Sequence, residues 1–349
     1  MKIRAYFPLI AISLVALVVR LIMIPFAGVL HVNPVDVYYV DNEAAKLILE
    51  FRDPYLYSNY TNRFGEIVTF AYLPFVPLYF APFVLIGSDI RYGSVFADVM
   101  ITIALYFIGK SLLEKSHASS WIPFTGSIAY AILPASIFLT SVMGTNQMIG
   151  LMFLIVALAA LLEDKSLLAG VFLGLALATN QFVLLVFPVL LIYCLRNRNF
   201  KTILVSILVA SAIILPFLLY SPSGFLYDIM LFQFVRPMQQ NGIWSLYHVV
   251  YMISGFKVDT VLRVAIFLVP TAIATFLFSN SKRNMLIGIA LVSAIASVVL
   301  PNDGFWNYFL MPMAVICSLI PLILISADVG RFSLSSAENS VARHLDESF

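Results

Sequence analysis

The chain has 349 residues, of which 62% are hydrophobic and only 11% charged, with a mean hydropathy of +0.99. Soluble domains carry roughly 25% charged residues, so a soluble enzyme or solvated binding module is excluded and an all-α polytopic membrane protein is expected. The net charge of +2 says nothing about nucleic acid, no basic run suggests it, and no nucleic-acid partner is expected.

Lys2 and Arg4 precede an apolar run that resembles a signal peptide. The run continues to about Leu30 without a small-residue cleavage site, so it reads as a retained helix. A spanning helix needs about 20 mostly apolar residues. That rule predicts about ten spans, near 5–29, 67–87, 91–110, 121–140, 146–162, 167–195, 201–220, 261–279, 284–300 and 305–326. The sixth is long, and Thr179-Asn180-Gln181 interrupts it in a way that suits two half-helices. Residues 243–255 are too short to span and rich in aromatics, which suits an interfacial helix. The expected domain is the membrane unit 1–326, followed by a short polar cytoplasmic tail, 327–349. Cys194 and Cys317 both fall in apolar stretches and form neither a disulfide nor a metal framework.

Lysine and arginine gather on the cytoplasmic side of membrane proteins. Lys2 and Arg4, then Arg196, Arg198 and Lys201, then Lys282 and Arg283 make the expected cytoplasmic clusters. Both termini are then inside, and loops 31–66, 221–260 and 301–304 lie on the non-cytoplasmic face. Lys110 and Lys115 fall outside in this scheme and count against it.

The loop from His31 to Glu66 is the only long polar segment near the start of the chain. It holds six carboxylates (Asp36, Asp41, Glu43, Glu50, Asp53 and Glu66) against Lys46, Arg52 and Arg63. Asp41 to Phe51 is expected to form an amphipathic helix on the membrane surface, with Asp41 as its cap, ended by Asp53-Pro54-Tyr55. Asp36, beside Tyr38 and Tyr39, stands where the first span leaves the membrane. It is either the acid at the mouth of a cavity or an ordinary solvated loop acid. Arg20, within the first span, either snorkels to the interface or faces a polar cavity, paired with a loop carboxylate or a substrate phosphate.

Arg20, Asp36, Ala44-Ala45 and Asp53-Pro54-Tyr55, in that order, resemble the start of the GT-C superfamily of membrane glycosyltransferases. So do Phe70-Ala71-Tyr72-Leu73-Pro74 in the second span, Gly174 to Thr179, Phe187-Pro188, and Asn307 to Pro312. The likeness is nearest to mannosyltransferases that use a polyprenyl-phosphate-linked sugar. It implies a base in the first outer loop, Asp36 or Asp41 with Asp36 preferred, and substrate contacts from Arg20, Tyr38, Tyr39 and Tyr72. It also implies no nucleotide sugar, no cofactor and no obligatory metal. The chain departs from the pattern at Asn146-Gln147, where an acid is frequent, and at Asn180, where a lysine is frequent.

The second large outer loop adds Arg236, Gln240, Trp244 and His248, suited to a lipid-phosphate leaving group and to stacking on a sugar. The expected reaction is transfer of a hexose, mannose favoured, from a polyprenyl-phosphate donor to a hydroxyl of a glycan or glycolipid acceptor, with inversion. Two other classes compete: a transporter or flippase for a lipid-linked saccharide or polar solute, with Arg20 and Asp98 as pathway charges, and a non-catalytic relative.

Overall fold

The structure, a computed structural model, describes residues 2–29, 31–57, 59–62, 64–114, 119–232, 245–301 and 306–325. Apolar composition makes nearly all of it helical, because in lipid the backbone must satisfy its own hydrogen bonds. The long helices are α1 (Lys2–Val29), α4 (Arg91–Leu113), α10 (Phe200–Tyr220), α13 (Thr260–Phe278), α14 (Lys282–Val299) and α15 (Asn307–Ile325). Between them lie α2 (Asp36–Leu49), α3 (Phe75–Leu85), α5 (Thr125–Ala131), α6 (Pro134–Ile137), α7 (Gln147–Leu162), α8 (Ser166–Leu177), α9 (Gln181–Arg196), α11 (Pro222–Leu226) and α12 (Leu246–Ser254). Among the described residues, six helices are long and apolar enough to cross a membrane, or seven if the pair 122–131 and 134–142, bent by 47°, counts as one span. About ten were expected, and the shortfall lies in the segments of α3, α7 and the α8–α9 pair, helices of 11, 16, 12 and 16 residues.

Contacts order the helices between two ends. At one end, Lys282 Nζ reaches Leu162 O and Asp164, Arg196 reaches Ser279, and Thr202 donates to Ser166 O. This basic end also holds Lys110, whose helix runs beside α7 in the same direction from a shared start, Ser94 Oγ donating to Thr145 O at 3.2 Å. At the other end, the loop end, Val35 N donates to Met143 O and Ser221 Oγ to Asp53.

Two expectations are corrected here. Residues 67–87 do not form a span: 67–68 pair as β2 with β1 (Tyr60–Thr61), and the helix that follows, α3, has only 11 residues. The intervening backbone is spent at the loop end, with Phe75 N donating to Ala178 O and Gln181 Nε2 to Ala71 O. With that crossing removed, Lys110 lies beside the other cations instead of opposite them; Lys115 is outside the described residues. The interrupted sixth segment is not two collinear halves. Ser166 and Arg196 both lie at the basic end, so α8 and α9 form a hairpin with its apex at 178–180.

The core lies among α4, α7, α8 and α9. α8 meets α10 through Gly170 and Gly174, where any Cβ would lie within 2.7 Å of Val205 or Val209. Small residues four apart let two helices approach closely in lipid.

Candidate functional site

α2 begins at Asp36, not at Asp41, so Asp41 is an interior helical residue and not a cap. Asp36 occupies the first turn, where negative charge meets the positive end of the helix dipole. The apolar residues divide into two faces. Val40, Ala44 and Leu47 enter an aromatic cluster with Tyr55, Tyr60, Phe70 and Phe225. Ala45 and Tyr38 meet the main core. A helix buried on two sides in this way is a fixed wall and not a floating amphipathic segment.

The wall is bolted at both ends. Gly144 has φ +68°, and a Cβ there would lie 3.0 Å from the Tyr38 ring and 3.2 Å from Arg91, so a glycine lets the 143–146 turn press against α2. Asp53 accepts from Tyr55 N at 2.9 Å and from Ser221 Oγ at 2.6 Å, while Tyr55 Oη donates to Tyr72 O at 2.7 Å. The Asp-Pro-Tyr motif therefore ties the first polar loop to the segment that begins the second.

Asp41 is fully buried and accepts one bond, from Asn146 Nδ2 at 3.3 Å; its Oδ2 has no partner among the described residues. Burial pushes its carboxyl well above the usual carboxylate range, with the Asn146 amide opposing weakly. Asp36 is half-buried. Five residues separate the two acids, about 140° around a helix, so they do not form a dyad. Next to Asn146, Gln147 lines a small cleft with Asn180, Phe182 and Tyr308. The two positions at which the chain departs from the GT-C pattern are thus brought to one place by the α8–α9 apex.

Other expected residues fall as follows. Tyr38 lies under the Arg91 guanidinium at 5.6 Å and edge-on to Tyr39 at 5.3 Å. Burial, then the Asp89 charge, raises its phenol. Tyr72 lends its backbone carbonyl to Tyr55 and its ring to Phe70 at 5.8 Å. His248 is buried on α12, next to Tyr247, which carries Arg263 over its ring at 5.7 Å. Arg236, Gln240 and Trp244 lie outside the described residues. Arg20 meets neither a loop acid nor solvent. It is fully buried and paired with Asp98, and it also donates to Ala16 O, Ala131 O and Ser136 Oγ. Its donors are spent inside the bundle, which removes the ground for expecting it to bind substrate.

Sequence reading missed Arg91, held by Asp89 at 2.6 Å, and Arg263. Arg91 was hidden by the false crossing at 67–87, which placed it away from the first loop.

The model of glycosyltransferase family 87 matches residues 70–301, well over half of the chain. The chain belongs to glycosyltransferase family 87. Among solved structures, the family 87 chain is similar in fold to ArnT from Cupriavidus metallidurans bound to undecaprenyl phosphate, with a TM-score of 0.59 and 12% identity over 91% of this chain and 60% of that one. It is similar also to the oligosaccharyltransferase of Archaeoglobus fulgidus in the apo form, with a TM-score of 0.56 and 11% identity over 96% of this chain and 52% of that one. The family 87 chain therefore spans 60% or less of the length of these two structures. No curated protein sequence matches it. The architecture is that of GT-C enzymes, as the sequence motifs implied.

Proposed function

We propose that this family 87 chain is a membrane glycosyltransferase that moves a hexose, mannose favoured, from a polyprenyl-phosphate donor to a hydroxyl of a glycan or glycolipid, on the non-cytoplasmic face. The observation that carries the reading is α2: an acid-bearing helix fixed across the loop end of the bundle, opposite the lysine and arginine clusters. The likeness in fold to an enzyme bound to undecaprenyl phosphate supports a donor whose chain lies in the bilayer.

Asp36 is the proposed base, because it is half-buried and open to an acceptor, whereas Asp41 is enclosed. It takes the proton of the acceptor hydroxyl as that oxygen attacks the anomeric carbon. The phosphate leaves without protonation, needing only donors and positive charge, for which Arg236 and His248 are the proposed groups. One displacement at one carbon gives inversion.

The test is transfer of radiolabelled mannose from polyprenyl-phosphate-mannose to candidate acceptors by protein in nanodiscs, with Asp36→Asn and Asp41→Asn alongside. Transfer that survives in Asp36→Asn removes that residue as the base. Transport of the donor across sealed vesicles, without transfer, removes the enzyme reading altogether.

A further inference from the structure

At the basic end, far from α2, an open groove of about 520 Å3 lies between the turn before α8 and the start of α10. Leu167, Leu168 and Val171 wall it, and Lys165, Ser166 and Lys201 form its rim. The leucines are exposed, and Phe200 and Leu204 continue the apolar surface along α10. The groove's one carboxylate, Asp164, is held by Lys282 at 2.8 Å. Lys165 meets Glu163 at 2.6 Å, while Lys201 makes no ion pair among the described residues. The rim therefore has the charge of Lys201 to spare above an exposed apolar wall. In addition, α8 starts without a side-chain cap, which leaves its first amides lacking a side-chain acceptor.

We propose that this groove holds an anionic phospholipid of the leaflet at the basic end. Its phosphate sits between Lys165 and Lys201, and its acyl chains run along Leu167, Leu168, Val171 and Leu204. Basic pockets at this level of a membrane attract anionic head groups, and the leucine wall selects a lipid over a soluble phosphate, which gains nothing from it. This site is independent of the glycosyl-transfer reading.

The test is native mass spectrometry of the full chain extracted from phosphatidylcholine nanodiscs that contain phosphatidylglycerol. The wild type is expected to retain one phosphatidylglycerol, and Lys165→Gln with Lys201→Gln to weaken retention about fivefold per lysine. Lys110→Gln, at the same end but outside the groove, leaves retention unchanged. Leu168→Ser, which keeps both lysines, weakens it as well. Inorganic phosphate is expected to leave the melting temperature of delipidated protein unchanged, whereas phosphatidylglycerol raises it. Equal retention by the double lysine variant, equal loss in Lys110→Gln, or equal stabilisation by inorganic phosphate overturns the assignment.

Discussion

Asp98 and Asp41 are both carboxylates without exposed surface, and they are built in opposite ways. Asp98 accepts from Arg20, from Tyr130 Oη and from Ser136 Oγ, so both of its oxygens are engaged. Asp41 has a single long bond and one oxygen without a partner among the described residues. A buried ion pair with its hydrogen bonds complete fixes geometry. Here it joins α1 and α4 to the bend before α6, the bend that delivers Met143 and Asn146 to α2. A buried acid that is only half satisfied is pushed toward its neutral form, the direction in which burial moves Asp41. The conspicuous charge in the first helix is therefore scaffold, and the helix laid across the loop end carries the buried acid whose hydrogen bonds are incomplete.

The strongest way to break this contrast is to remove Arg20. Arg20→Met leaves Asp98 buried and unpaired, at a cost of about 3–5 kcal/mol, read as a collapse of the melting temperature in detergent. Adding Asp98→Leu is expected to recover most of the loss. Asp36→Asn is expected to slow transfer by about 10²- to 10⁴-fold while leaving the melting temperature in place. A fall in both would make Asp36 part of the scaffold.

A third test uses pH. Asp228 follows α11 and faces Asp53, Tyr55 and Tyr60; burial, then the Asp53 charge, raises its carboxyl from 3.8 to about 7. The folded state holds this proton longer than the unfolded chain, so stability falls as pH rises from about 4 to about 7 and levels off above. Solvent at the loop screens part of the effect, which is on the order of 1 kcal/mol. Melting curves at pH 5 and pH 8 are expected to differ for the wild type and to converge for Asp228→Asn. The smallest effect sharpens the comparison most. Asp41→Asn replaces a carboxyl that burial already biases against charge by an amide of the same shape and is expected to change stability by less than about 1 kcal/mol, whereas Asp98→Asn, measured the same way, is expected to cost several times more.

Much of the fold could be read from the chain, because hydrophobic length and turn chemistry are local. The acidic helix, the interruption near Asn180 and the short aromatic helix before Gly255 were each expected. The errors were of another kind. Residues 67–87 are apolar enough to span, and only the bonds to Ala178 and Gln181 show that this backbone is committed elsewhere. Asp41 has the composition of a cap, but its partner, Asn146, lies 105 residues away. Arg20 paired with Asp98 across 78 residues. Such long-range partners leave no mark in local spacing.

The shortness of α8 has a consequence for what lies above it. Twelve residues rise about 18 Å, against a hydrocarbon thickness of about 30 Å. The apex at Asn180 therefore ends well below the plane reached by α4 or α10. Residues 71–75 come down to that level, with Phe75 N donating to Ala178 O and Gln181 Nε2 to Ala71 O, so loop backbone and not a spanning helix closes the bundle beside the amide-lined cleft.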